Sequence, residues 1–189
     1  MAFYISNAPK YAIDRILNDE LQACYGFIAM PVFIIGLLNS FIFNPMLFEI
    51  SKLWNDNNVN SFVKKIGIQV IIIAIITVIC LSGAYILGIP VLSFIYNFDL
   101  SSYKCELLIL ILGGGFLGLS GLFMTIITII REQRFLLIGY IIVAMVALIS
   151  SEKIVIEYGI TGACWFYLIL MIILSLFFMA VLFKKILKK

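Results

Sequence analysis

The chain has 189 residues, 64% of them hydrophobic and 12% charged, with a mean hydropathy of +1.18. Soluble domains are about half apolar and about a quarter charged, so this composition excludes an ordinary water-soluble globule. Thirteen basic residues against ten acidic ones leave a net charge of +3, carried by loop lysines rather than by a nucleic-acid surface.

The first twenty residues lack a basic start followed by a clean apolar block, so no secretory signal is read there. They hold "SNAPKYAID", residues 6 to 14, which reads as a short amphipathic helix. Asn7, Lys10, Asp14 and Asn18 fall on one polar face beside Tyr11, and Ile5, Ala8, Ala12 and Ile16 fall on the opposite one. Lys10 and Asp14 are four apart and able to pair. Pro9 predicts a kink or a fresh helix start near Ala8.

Five runs without Asp, Glu, Lys or Arg follow, at 21–48, 66–98, 107–130, 135–151 and 158–183. Crossing the hydrocarbon core takes roughly 20 apolar helical residues. Four runs meet that length and the fourth in order sits at the short end of the range. Membrane barrel strands show alternating segments of about ten residues instead. The fold class expected is therefore all-α and integral-membrane, one domain over 1–189, with five transmembrane helices and a short amphipathic lead-in.

The first run, "MPVFIIGLLNSFIFNPM", contains Pro31 and Pro45, whose missing N–H groups need compensation nearby. Gly36, Ser40 and Asn44 lie four apart with Asn39 beside them. An amide in a membrane is glue between helices or a ligand for sugar hydroxyls in a polar cavity. Gln69 and Thr77 raise the same question in the second run. "WNDNNVNSF", residues 54–62, is a polar connection with no nucleotide site.

In the third run "GGGFLG", residues 113–118, fits G-x-G-x-x-G, but a dinucleotide fingerprint needs a preceding strand and a soluble βαβ unit. Gly114, Gly118, Gly121, Thr125 and Thr128 share one face, which suits close helix packing or the lining of a cavity. Glu49, Asp56, Asp99, Glu106, Glu132, Glu152 and Glu157 fall at expected helix ends or in loops and read as solvated charges. Cys24, Cys80, Cys105 and Cys164 show no disulfide or metal spacing, and only Cys105 falls in an expected loop.

The basic residues divide between the two sides. Lys10, Arg15, Lys104 and Lys153 make four on one side. Lys52, Lys64, Lys65, Arg131, Arg134, Lys184, Lys185, Lys188 and Lys189 make nine on the other. The richer side is expected to be cytoplasmic, which places the C-terminus inside and the N-terminal segment outside.

Three stretches taken in order carry a resemblance. "SNAPKYAIDRILNDELQACYGFIAMPVFIIGLLN" and "LGIPVLSFIYNFDLSSYKCELLILILGGGF" resemble segments of bacterial polysaccharide flippases, and "EYGITGACWFY" matches their recurrent Tyr-Gly-x-x-Gly-Ala pattern. These are lipid-linked oligosaccharide exporters of the multidrug/oligosaccharidyl-lipid/polysaccharide superfamily. The chain is similar to their second six-helix half, short of most of its first helix, with Met1 to Asn7 as that helix's last two turns. The resemblance implies transbilayer export of a prenyl-diphosphate-linked oligosaccharide in the bacterial cell membrane, with membrane lipid and a matching N-terminal half as partners and no nucleic acid. It implies no cofactor, metal or catalytic residue. Asn7, Lys10, Asp14, Arg15, Asn39 and Asn44 are the candidate substrate-binding residues; residues 6–14 read either as an amphipathic connector at the outer surface or as the outer end of that helix, with Lys10 and Arg15 then meeting the diphosphate. The alternatives are a non-transporting fragment and a multidrug or small-molecule exporter of the same superfamily. Enzyme chemistry has little support: the chain has no histidine, and a membrane glycosyl- or acyltransferase would have to rely on Asp14, Asp19 and Glu20.

Overall fold

The computed structural model describes residues 2–187, with the side chains of residues 4–187. Met1, Lys188 and Lys189, which enter the N-terminal helix and the basic count above, lie outside the described residues. The described chain is helical, with no strand.

Helix α1 spans Ala2–Ile16 and runs through Pro9 without a new start, so the restart expected near Ala8 is not found. Pro9 is buried. Its missing N–H removes one internal hydrogen bond, and packing outweighs that loss. Ile5, Ala8, Ala12 and Ile13 are buried against α7, while Lys10, Tyr11 and Asp14 are exposed. The amphipathic division read from the sequence holds, with Ile16 half-buried.

Helix α2 spans Asp19–Phe43. Asn18 caps it, its Oδ1 accepting the Leu21 N–H at 3.0 Å. This is a local reason for an asparagine at that position. The Asn44–Met46 stretch is a 3-10 turn around Pro45, and α3 continues over Leu47–Asn55. Asn57, at φ 57°, makes the reversal into α4, Val59–Gly83, which Asn58 caps through the Ser61 N–H. A π-helical stretch at Ala84–Gly88 precedes α5, Ile89–Tyr96, where Pro90 has no N–H to return to the preceding turn. Asn97 ends α5 in the left-handed conformation. A 3-10 turn at Ser101–Tyr103 leads into α6, Lys104–Ile129, and α7 runs Gln133–Ile186.

Four rods are long and apolar enough to cross a membrane: Asp19–Asn55, Val59–Tyr96, Ser101–Ile129 and Gln133–Ile186. The protein is thus all-α with the build of a multi-pass membrane protein. Two of the five charge-free runs lie in α7, which is not straight: it folds back on itself at Gly159, at φ 58° and ψ −141°, a region essentially confined to glycine, so that Tyr140 packs on Phe178 and Lys185 meets Glu132.

Helix α6 is the centre, packed against α7, α2 and α4. Its three consecutive glycines explain how. A Cβ on Gly113 would stand 2.6 Å from the Tyr167 ring of α7. One on Gly114 would stand 3.2 Å from Val32 of α2, and one on Gly115 2.5 Å from Thr77 Oγ1 of α4. Successive residues on a helix are about 100° apart, so each glycine admits a different neighbour. Gly118 repeats the approach to α2 at Asn39.

The helix ends define two ends of the bundle. The α1–α2 and α5–α6 turns meet at one, lining a shared hollow with Asn18, Glu20, Asn97 and Asp99. Arg15–Glu152, at 3.0 Å, brings the Gly159 region of α7 to the same end. Asp99 there is exposed, and hydrogen bonds from the Ser101 N–H and side chain hold its carboxyl below the ordinary aspartate range. Lys65–Glu49 and Lys185–Glu132 clasp the turns at the opposite end.

One expectation about charges is corrected. Glu106 is not a solvated loop charge: it sits in the first turn of α6, buried, and accepts the Thr161 hydroxyl at 2.6 Å. Glu152 lies within the first limb of α7 and Glu157 at its end, two residues before the break at Gly159, and both are exposed as expected. Cys105 is in α6 rather than a loop, and exposed.

Candidate functional site: a groove along α2

The groove begins at α1. Asn7 and Lys10 line it together with Tyr25, Gly26 and Gly36 of α2 and Tyr167 of α7. Its volume is about 570 Å³. Gly26 and Gly36 have open space where a Cβ would stand, so these glycines widen the groove, whereas those at 113–115 close contacts. Tyr167 is 3% exposed and its hydroxyl has no partner among the described residues.

A second cavity of about 270 Å³ adjoins the first and shares Gly36, Ser40 and Leu117 with it. Asn39, Asn44, Gly121 and Thr125 complete its polar and open side. The two lie in line along the face of α2, from Lys10, about two turns below the α1–α2 turn, to Asn44, with mainly apolar walls.

The small-residue face of α6 therefore serves both of the purposes read for it. Gly114 and Gly118 pack on α2, and Gly121 and Thr125 face the cavity. Thr125 and Thr128 return their hydroxyls to carbonyls one turn back, and Thr128 is exposed.

Asn39 is 2% exposed, and neither its Nδ2 nor its Oδ1 has a partner among the described residues. An unsatisfied buried amide costs about 1–3 kcal/mol. Glue between helices would satisfy that amide, and here no helix does. Gln69, fully buried, donates to the Met46 sulfur, joining α4 to the turn after α2, while its Oε1 is unpartnered. Thr77 bonds to the Ile73 carbonyl at 2.8 Å and has no groove role.

The six residues singled out in the sequence thus divide. Asn7 and Lys10 meet in the upper groove, and Asn39 and Asn44 in the lower cavity. Asp14 and Arg15 line neither. Asp14 accepts from Gln22 Nε2 rather than pairing with Lys10, because the turn into α2 brings Gln22 over it. Among the described residues Lys10 makes no ion pair. Arg15, 73% exposed at its side chain, binds Glu152 and so ties α1 to α7. Tyr25 and Tyr167 were not singled out. Their apolar surroundings in sequence give them the look of ordinary core, and only Gly26, next to Tyr25, hints at space beside one of them.

A scan against protein-family models, a search of curated proteins and a search of solved structures return no match.

Proposed function

We propose that the chain is one helical lobe of a bacterial exporter that flips a prenyl-diphosphate-linked oligosaccharide during cell-envelope polysaccharide assembly, working with a matching N-terminal lobe. One observation carries this reading. A groove and an adjoining cavity lie in line along α2, with Lys10 and Asn7 at one end, Asn39 and Asn44 at the other, and Ser40 between them on mainly apolar walls. Moving a sugar headgroup through a bilayer requires such a path, because each polar group left in lipid without a partner costs several kcal/mol. The prenyl tail stays in the bilayer, so the path need only be open along one side.

In this reading α7 crosses twice, its two limbs meeting at Gly159, which brings the crossings to five. The positive-inside rule sets the C-terminus and the α3–α4 turn in the cytoplasm. The end carrying Arg15 and Gly159 then faces outward, and Lys10 lies where the diphosphate leaves. Lys10, with no carboxylate partner, is the cation available to phosphate; Arg15 is the next basic group toward the exit. A second lobe would cover the open side, and rocking of two lobes about the path would alternate its openings.

The test is export by a two-lobed protein containing this chain, in cells lacking their own exporter. Lys10→Ala is expected to cut polysaccharide export at least fivefold at normal membrane levels, Arg15→Ala to cut it less, and Lys52→Ala to leave it unchanged. Parental export by all three variants would overturn the reading. Reconstituted alone, the chain is expected not to move a labelled sugar lipid.

A further inference from the structure

A third hollow, of about 470 Å³, lies on the α4 face of α6 and shares no residue with the groove and cavity along α2. Leu81, Ser82, Tyr85 and Ile86 of the α4–α5 rod line it, facing Leu108 of α6. Two close contacts bracket it. Thr77 presses on Gly115 at one end. At the other, a Cβ on Gly88 would stand 2.7 Å from Leu107 Cδ2. Between these contacts the α4–α5 rod advances eleven residues, from 77 to 88, and α6 eight, from 107 to 115. The π-helical stretch Ala84–Gly88 falls in the longer span. A longer span pinned at both ends bows outward, which accounts for the hollow beneath it. Ser82, Tyr85 and Ile86 are exposed, so the hollow opens on the outside of the bundle, beside the exposed Val78, Ile79 and Leu87.

A cation stands over it. Lys104, one turn before Leu108 on α6, holds its Nζ 3.9 Å from the centre of the Tyr85 ring. Lysines near the ends of membrane helices extend toward water, whereas this one lies on a wall residue of the hollow. Among the described residues Lys104 makes no ion pair. The Ser82 hydroxyl is already committed as a donor to the Val78 carbonyl, at 2.9 Å.

These features select among ligands. A free phosphate would meet one lysine, and a single exposed pairing of that kind is weak. A partner helix laid over the hollow would cover the ammonium without supplying a counter-charge. A bare hydrocarbon does the same. An anionic phospholipid carries both parts in one molecule, a phosphate for the ammonium and a chain for the apolar walls.

We propose that this hollow seats an acyl chain of an anionic phospholipid whose headgroup phosphate pairs with Lys104. The inference goes beyond the export reading and does not depend on it, since it concerns a lipid of the surrounding membrane on a different face of α6.

The experiment uses the full chain in phosphatidylcholine nanodiscs, with Trp54→Phe and Trp165→Phe and with Ile86→Trp as a fluorescent reporter in the wall of the hollow. A low mole fraction of phosphatidylglycerol or phosphatidylcholine, brominated on its acyl chains, is added as quencher. Brominated phosphatidylglycerol is expected to quench the reporter at least threefold more than brominated phosphatidylcholine. A reporter at Ile79 instead, on the same rod but outside the hollow, is expected to be quenched equally by the two. Lys104→Gln is expected to remove the preference at position 86 and Lys104→Arg to keep it. Ser82→Phe, which fills the hollow and leaves every charge in place, is expected to remove it as well. Unchanged melting temperatures in pure phosphatidylcholine show that these variants are folded.

Equal quenching by the two lipids at position 86 would overturn the site. So would an equal preference at position 79, which would mean attraction to the chain's net charge. A preference surviving in Lys104→Gln or Ser82→Phe would also overturn it. Glycerol phosphate at tens of millimolar is expected to change nothing; loss of the preference on its addition would assign Lys104 to free phosphate instead. The preference is expected to persist in a two-lobed protein and in discs holding two copies of the chain. Its loss in either would give this face to a protein neighbour and overturn the lipid.

Discussion

The Nδ2 of Asn39 lies 2.2 Å from the point where a Cβ on Gly118 would stand. An α2 amide therefore occupies space that only glycine leaves open on α6. Gly118→Ala must displace Asn39 or separate the helices, and overpacking of this kind costs about 1–3 kcal/mol. Gly121→Ala, three residues further with open space around it, is expected to change stability by less than about 0.5 kcal/mol. Thermal unfolding of the two variants in nanodiscs checks this; equal shifts would contradict the packing.

At Gly115 the obstacle is Thr77, whose Oγ1 and Cγ2 stand 2.5 and 2.6 Å from the added Cβ. Gly115→Ala alone is expected to destabilise by about 1–3 kcal/mol. Thr77→Ala makes room for it, so the double variant is expected to recover at least half of that loss. A double-mutant cycle measures the coupling, and strict additivity would show that α4 does not press on α6 there.

Gly159 has φ 58° and ψ −141° with open space around it. The penalty for Ala there comes from the backbone and not from contact. Gly159→Ala is expected to cost about 1–3 kcal/mol or to straighten α7. Amide exchange across 155–163 distinguishes the two outcomes, and an unchanged melting temperature with unchanged exchange would rule out the break.

Arg15 and Glu152 are both more than half exposed at their side chains, so their pairing is worth at most about 1 kcal/mol. Arg15→Ala and Glu152→Ala are each expected to lower stability by no more than that, with the effect fading at high salt. A loss of export in Arg15→Ala at unchanged melting temperature then reflects function rather than folding.

Asn60 and Ser101 are exposed at opposite ends of the bundle. In a chain without native cysteines, Ser101→Cys is expected to react with a membrane-impermeant thiol reagent in intact cells, and Asn60→Cys only after lysis. The reverse pattern would invert the orientation drawn from the nine-to-four division of basic residues.

Much of the architecture was legible because membrane helices announce themselves by length and charge. The polar face of α1 and the polar side of α2 around Gly36, Ser40 and Asn44 were legible from 3.6-residue spacing alone. What was not legible depended on which helix lies beside which. Lys10 and Asp14 have the right spacing to pair, but Gln22 comes from across a turn to take Asp14. Glu106 looks like a helix-end charge until α7 covers it and presents Thr161. Pro9 predicts a restart only if α1 stands alone, and burial against α7 holds the helix through it. The spacing of Gly114, Gly118 and Gly121 shows one face of α6, but nothing in it shows that Gly113 and Gly115 beside that face admit α7 and α4.

Those three glycines have a mechanical consequence. A screw step of one residue, about 100° of rotation with 1.5 Å of advance, lays the α6 backbone onto itself. At the level of residues 113–115 such a step brings Gly114 to Tyr167 and Gly115 to Val32, and only Phe116 arrives at Thr77 as an intruding side chain. In the opposite sense Gly113 and Gly114 take the places beside Val32 and Thr77, and Leu112 alone intrudes on Tyr167. At that level the surface of the central helix repeats, whereas at Gly118 either step would set Leu117 or Leu119 against Asn39, so Gly118 acts as the catch that holds the register.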